Sequence, residues 1–163
     1  QNTGTFESRT TGTHAITTVT VNSGGTIQHT VNTTSKTSSL VISGTTIDVQ
    51  SGGTINVTAK GLDPGSGSGA STGRAGGGYG GEGGDYPGNG TGGASTYGSI
   101  KQPEEISSGG GTGAQGGGQI KLIATGTLTI DGTLVVDGTL RGAEHWPKHR
   151  AIWNNRTTVS STR

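Results

Sequence analysis

The chain has 163 residues, a formal net charge of +1 and neither cysteine nor methionine, and its 35 glycines, 29 threonines and 16 serines make up about half of it. Leu, Ile, Val and Phe together number only 27, yet the small net charge is not that of a solvated disordered tail, so the composition is typical of a fibrous or surface protein. The lack of cysteine excludes disulfides, thiolate metal sites and cysteine nucleophiles.

Residues 1–60 form a region rich in Thr, Val and Ile that is patterned like short β-strands. Threonine and β-branched residues alternate with period two in runs that are closed by Gly or Asn-Ser. The phrase SGGTI at 23–27 recurs at 51–55, with the variant SGTTI at 43–47. Repeats of one strand and a glycine corner are what a β-solenoid needs, because each turn stacks on the last and buries a narrow apolar ladder.

Residues 61–118 form a glycine-rich insertion that holds 24 of the 35 glycines. In the stretch GGGYGGEGGDYPGNG, glycine pairs recur every three residues, and Tyr79, Glu82 and Asp85 each follow one pair. A period of three is that of polyproline-II geometry. The spacing therefore predicts an extended polyglycine-like packing, with a flexible Gly/Ser loop as the alternative.

The same stretch contains a weak calcium candidate. GGEGGD at 80–85 matches half of the calcium-binding nonapeptide repeat and makes Asp85 the candidate ligand, but the motif occurs once and Pro87 stands where a large hydrophobic residue belongs. No phosphate loop is predicted, because no G-x-G-x-x-G match lies between a buried strand and a helix. We expect no cofactor and no metal.

Residues 119–140 return to a strand pattern. The repeat G-T-L-x-[IV]-D runs over 126–131 and 132–137 and begins again at 138. With 1–60, it predicts an all-β fold: a short parallel β-solenoid that these repeats close and that carries the glycine-rich insertion. Asp131-Gly132 and Asp137-Gly138 are also strong hairpin signals, so an antiparallel β-sandwich or meander is the alternative.

Residues 141–163 form a basic tail or connector with five Lys or Arg, one Glu, Trp146 and Trp153. His145 and His149 have zinc-chelating spacing, but Pro147 lies between them and no third ligand is evident. Basic residues interleaved with tryptophan are compatible with nucleic-acid or acidic-polysaccharide binding. We favour an arm that docks on a neighbouring subunit through its tryptophans, and predict no nucleic-acid partner.

The sequence predicts a secreted protein that is not an enzyme. Acidic residues are spread thinly, with Glu104-Glu105 as the one adjacent pair, and no G-x-S-x-G elbow occurs. No apolar run is long enough to span a membrane, and a start at Gln1 is typical of a processed or excised segment. Four asparagines lie in N-glycosylation sequons, which favours a secreted glycoprotein: Asn32, Asn56, Asn89 and Asn155.

Over about residues 43–142 the motifs follow a recognisable order. TINVTAKGL at 54–62 precedes GGGYGGEGG, ASTYGSIKQP at 94–103 and GGGTGAQGGGQIKLIATGTLTIDGTLVVDG at 109–138. This succession resembles glycine-rich repeat segments of large eukaryotic cell-surface and extracellular-matrix proteins. The resemblance implies an extracellular β-solenoid-like structural unit, not a catalytic one, and the tail at 141–163 departs from it.

We therefore predict an extracellular structural glycoprotein, a subunit or repeat segment of a fibre or matrix. It would assemble with copies of itself or with neighbouring repeats by β-stacking or strand addition. The predicted assembly contacts are aromatic: Tyr79, Tyr86, Tyr97, Trp146 and Trp153.

Two alternatives stay open. One is an adhesin-like module that binds glycans through the same aromatic residues. The more remote one is an ice-binding β-solenoid with threonine ladders such as Thr18-x-Thr20, which needs one flat threonine face in register over several turns.

Overall fold

A computed structural model describes residues 4–93, 96–99, 101 and 103–139. These residues contain eight β-strands and no helix, so the predicted all-β class is confirmed for this part of the chain, and nothing in it is a helix that could cross a membrane. The strands are β1 (Thr5–Ser8), β2 (Thr13–Ala15), β3 (Thr18–Val21), β4 (Thr26–His29), β5 (Leu40–Val49), β6 (Thr54–Asn56), β7 (Ile120–Ile130) and β8 (Thr133–Val135).

The strands form two parallel sheets. The first sheet has the order β1-β4-β6-β8. In the second sheet β5 is central, with β2 and β3 along one edge and β7 along the other. Every pairing between named strands is parallel, and the chain alternates between the two sheets as it advances.

The antiparallel alternative is wrong for these strands. Asp131-Gly132 does not close a hairpin, because both of its backbone amides donate to the Val49 carbonyl of β5, at 2.8 and 2.9 Å. The dipeptide instead forms a corner that carries the chain from β7 in the second sheet to β8 in the first. Local turn chemistry alone does not separate such a corner from a hairpin.

The sequence repeats place like residues side by side. In the first sheet one row contains Thr5, Thr26, Thr54 and Thr133, and the next row contains Phe6, Ile27, Ile55 and Leu134. Because side chains alternate along a strand, the second row turns towards the core. We call it the apolar row.

The hydrophobic core joins both sheets. Leu40, Ile47 and Val49 of β5 have no exposed side-chain surface, and Ile55 of β6 is 1% exposed. Partly buried residues at the outer strands pack against this core: Val19, Ile120, Leu128, Ile130 and Leu134. Burial is therefore complete at the central strands and incomplete at the outer ones.

The glycine-rich insertion is held by backbone hydrogen bonds between its own segments. The Gly76 amide donates to the Gly84 carbonyl, and the Gly93 amide donates to the Gly76 carbonyl. At its base, the Gly61 amide donates to the Gly116 carbonyl at 2.8 Å. Its described residues contribute none of the eight strands, and polyproline-II geometry stays a prediction.

Bare glycine faces allow these backbone segments to lie against each other. A Cβ atom added at Gly83, Gly92, Gly109 or Gly111 would lie 2.6 Å from the carbonyl carbon of a facing residue. That separation is far inside van der Waals contact. Glycine at these positions is therefore required by space, and a random Gly/Ser loop would carry no such requirement.

Candidate functional site

The two ends of the strand stack are the main candidate interaction surface. We call β1, β2 and β3 the head end, and β7 and β8 the tail end, because they are the outer strands of the two sheets. An outer strand leaves one row of backbone N–H and C=O groups unpaired with any neighbouring strand. Since all pairings between the named strands are parallel, the head end of one copy has the direction needed to continue the tail end of another.

The head end exposes the end of the apolar core. Phe6 is 43% exposed, whereas Ile27 beside it in the apolar row is 8% exposed. An open cavity of about 340 Å³ lies next to Phe6, and Val21 and Ile27 also line it. Ile16, between β2 and β3, is 44% exposed. In a monomer, the head end therefore exposes to water apolar side chains of the kind that are buried at the central strands.

The tail end closes the same rows with partly buried apolar side chains. Leu134 of β8 is the last residue of the apolar row, and Ile130 of β7 pairs with Val49. Both are only partly buried, although they pack against the core. The two ends therefore carry matching residue types in matching register.

The outer face of the second sheet is the second candidate surface. Thr18, Thr46 and Thr127 occupy one row, and Thr20, Asp48 and Thr129 the next. Threonine thus fills all but one of the positions in these two rows, which we call the threonine face. The exception is Asp48, which accepts a hydrogen bond from the Gln50 side-chain amide at 3.3 Å.

Asn32 has a structural role that its sequon does not predict. Its side chain is fully buried, and its Nδ2 donates to the carbonyls of Ser38 at 3.0 Å and Lys60 at 2.8 Å. Its Oδ1 accepts from the backbone amides of Thr37 and Ser38. A glycan on Nδ2 cannot be accommodated in this folded arrangement, so we leave Asn32 out of the glycosylation proposal.

The other sequons differ in exposure. Asn89 is exposed in the turn that follows Pro87, while Asn56 is half-buried and its Oδ1 accepts from the Thr58 amide at 2.9 Å. Asn155 lies outside the described residues, as do Trp146 and Trp153. Asn89 is therefore the most accessible acceptor in the described part of the chain.

Two of the predicted assembly residues, Tyr79 and Tyr97, pack inside the insertion. Their rings meet edge to face, with centroids 4.9 Å apart, and both are half-buried. The Tyr97 hydroxyl donates to the Ile106 carbonyl at 2.8 Å and accepts from the Ser108 hydroxyl at 2.8 Å. Burial raises the pKa of both phenols. These two tyrosines therefore stabilise the interior of the glycine-rich insertion.

Tyr86 and Asp85 also make their contacts within the glycine-rich insertion. The Arg74 guanidinium lies 6.0 Å from the centre of the Tyr86 ring, a weak cation–π contact. The Asp85 carboxylate accepts a hydrogen bond from the Gly92 amide at 2.6 Å. Within the described ranges, no group of three or more His, Asp or Glu side chains could hold a metal ion, so Asp85 is not joined by partner ligands there.

The sequence did not predict a role for Phe6, the exposed aromatic residue of the head end. A signal was present, because Thr5-Phe6 takes the same register as Thr26-Ile27, but the SGGTI phrase does not precede it. Comparisons of the chain with models of known protein families, with curated protein sequences and with solved structures found no significant match.

Proposed function

We propose that this chain is an extracellular structural subunit, a short parallel β-solenoid that assembles end to end with copies of itself. The apolar row from Phe6 to Leu134 carries this proposal, since it runs through the whole first sheet and is left partly exposed at both ends. The solenoid is supported by a chain that alternates between two sheets and pairs only in parallel between named strands. Strands wound in this way stack in register, as solenoid turns do.

Strand addition would satisfy both unfinished features of the ends. It supplies a neighbour for the free backbone groups of β8 in one copy and of β1 in the next, and it covers the Phe6 side chain of that next copy with the Leu134 side chain of the first. Complete burial of one large apolar side chain contributes about 1.5–3 kcal/mol. A head-to-tail contact does not close on itself unless the copies form a ring, so repetition gives a filament.

The register of the contact follows from the strand count. Along the direction in which the strands stack, the first sheet has four successive strands. The second sheet has only three levels, because β2 and β3 both pair along one edge of β5. The first sheet therefore makes the contact, with Thr133 beside Thr5 and Leu134 beside Phe6. The outer edge of β7 is then left for one further strand.

The extracellular part of the proposal rests on the sequons and on the composition of the chain. The chain carries sequons, and the one at Asn89 lies exposed on the glycine-rich insertion, outside the eight strands. The absence of cysteine and the small apolar content fit a fibrous protein.

The alternatives have less support among the described residues. Glycan binding needs exposed aromatic rings, but Tyr79 and Tyr97 are half-buried against each other. Ice binding is favoured by the register of the threonine face, which extends over three strands. Asp48 interrupts that face in the row between Thr20 and Thr129. The unfinished apolar row has no role in either alternative.

A cysteine-pair experiment tests the proposed contact, because the chain has no cysteine of its own. Neighbouring strands lie about 4.8 Å apart, and a disulfide accepts Cα separations of about 4.4–6.8 Å. Chains with Thr5→Cys mixed with chains with Thr133→Cys should therefore form a mixed disulfide on mild oxidation. Thr91→Cys, at an exposed position of the insertion, is the matched control for Thr133→Cys and should form none with Thr5→Cys above the background of random collisions. Equal cross-linking of both mixtures would contradict the proposed register.

A further inference from the structure

His29 is a fully buried histidine that joins three parts of the fold: strand β4, the loop that precedes β5 and the residue that precedes β7. It ends β4, and its ring reaches the residue that precedes β7. Nδ1 lies 2.7 Å from the Thr30 carbonyl and 3.2 Å from the Ser38 hydroxyl, while Nε2 lies 3.1 Å from the Gln119 backbone nitrogen. A carbonyl only accepts and a backbone amide only donates, so this arrangement requires a neutral ring with its proton on Nδ1.

The Gln119 amide that His29 accepts from marks the return of the glycine-rich segment to the sheets. Gly118 donates to the Val57 carbonyl at 2.8 Å, and the Gln119 carbonyl accepts from the Leu40 amide at 3.1 Å. A Cβ atom added at Gly118 would overlap the His29 ring. His29 is thus the side chain that fastens this end of the segment to the first sheet.

A second proton on the ring would have no acceptor. Placed on Nε2, it would point at the Gln119 N–H, and the charged ring would stay buried. The charged groups that act on His29 also oppose the charge on balance: Lys60 and Lys36 disfavour it, and Glu7 favours it weakly. Burial is the main reason that the pKa of His29 lies below its ordinary value of 6.5.

We propose that His29 is a proton-sensitive anchor, whose protonation on Nε2 breaks the bond from the Gln119 amide and releases the glycine-rich segment from the start of β7. The device is separate from the end contacts, because His29 lies in the interior of the fold. It would loosen the insertion in mildly acidic surroundings before the strand ladders separate.

The direction of the pH effect follows from linkage. The unfolded or opened chain binds a proton near pH 6.5, and the closed form binds it only at lower pH. The closed junction is therefore fully stabilised above pH 6.5, and the stabilisation is lost as the pH falls below that value towards the folded-state pKa. Within that window the equilibrium constant for closure falls by up to about tenfold per pH unit.

Amide hydrogen exchange at Gln119 tests the anchor. Protection of this amide, corrected for the intrinsic pH dependence of exchange, should fall as the pH is lowered through 6.5, by up to about tenfold per pH unit. In a His29→Gln chain the pH-dependent loss should disappear, and in a His14→Gln control it should remain. Unchanged protection in the unaltered chain, or the same loss in His29→Gln, would overturn the proposal.

A second measurement decides the matter if His29→Gln does not fold. Ring ¹⁵N and ¹H shifts of His29 in the unaltered chain report both its tautomer and its titration. The proposal requires the Nδ1–H tautomer and a pKa below 6.5. Titration at or above the ordinary histidine value, or an Nε2–H tautomer, would refute it.

Discussion

Replacement of Gly111 by alanine is expected to lower the free energy of unfolding by about 1–3 kcal/mol, the usual range for overpacking. Gly111 is buried, and its new Cβ would lie 2.6 Å from the Gly73 carbonyl carbon. The obstacle is backbone, which cannot rotate away as a flexible side chain could. Two segments of the insertion must therefore separate, and the hydrogen bond from the Gly111 amide to the Ala75 carbonyl would weaken with them.

Gly84→Ala is the matched control, because Gly84 is exposed and an added Cβ meets nothing within 4 Å. We expect it to be neutral or to stabilise by about 0.4–1 kcal/mol, since alanine restricts the unfolded chain. All three tyrosines lie in the glycine-rich insertion, so the tyrosine bands of the near-ultraviolet circular dichroism spectrum, separated from the longer-wavelength tryptophan bands, report on this segment during urea unfolding. Equal unfolding midpoints for the two variants would contradict the packed-glycine description.

Replacement of Asn32 by alanine is expected to cost about 3 kcal/mol of the free energy of unfolding. The change leaves the Ser38 and Lys60 carbonyls and the Thr37 and Ser38 amides without their side-chain partner. Each buried polar group left unsatisfied costs about 1–3 kcal/mol, less where water can enter. Urea unfolding followed by far-ultraviolet circular dichroism measures the loss.

Asn89→Ala is the control for this variant. Asn89 is exposed, and surface substitutions away from special features usually stay within about 0.5 kcal/mol. The same structural role predicts that glycopeptide mapping of material from a secreting host finds Asn32 unmodified. Two results would show that the hydrogen bonds of Asn32 do not stabilise the loop at 30–39. One is an Asn32→Ala chain as stable as the Asn89→Ala chain, and the other is a glycan on Asn32 in folded protein.

Much of the strand arrangement could be predicted from the sequence, because the repeats carry it. The SGGTI phrases at 23–27 and 51–55 fall in register on β4 and β6, and the G-T-L repeat at 132–134 continues the row on β8. A corner glycine and a following Thr-Ile step specify both where a strand begins and which face is apolar. The period and phase of the repeats were therefore sufficient to predict where these strands begin and which of their faces is apolar.

Residue partners could not be predicted in the same way. A sequon marks Asn32 by three adjacent letters, whereas its role depends on Lys60, which is distant in sequence. His29 fits the alternation of β4 like any strand residue, and only the return of the chain at Gln119 makes it an anchor. Likewise, the ASTYGS stretch marks Tyr97 in the sequence, but Ser108 and Ile106 determine where its hydroxyl points.

The most direct test of end-to-end assembly compares two lysine variants by sedimentation velocity over a range of protein concentrations. Phe6 and Val31 are similarly exposed, at 43% and 46%, but Phe6 lies on the head end and Val31 lies between β4 and β5. We predict that the unaltered chain and Val31→Lys form the same concentration-dependent series of larger species, and that Phe6→Lys stays monomeric. An unaltered chain that remains monomeric at every concentration, or a Phe6→Lys chain that associates as the unaltered chain does, would contradict assembly through the strand ends.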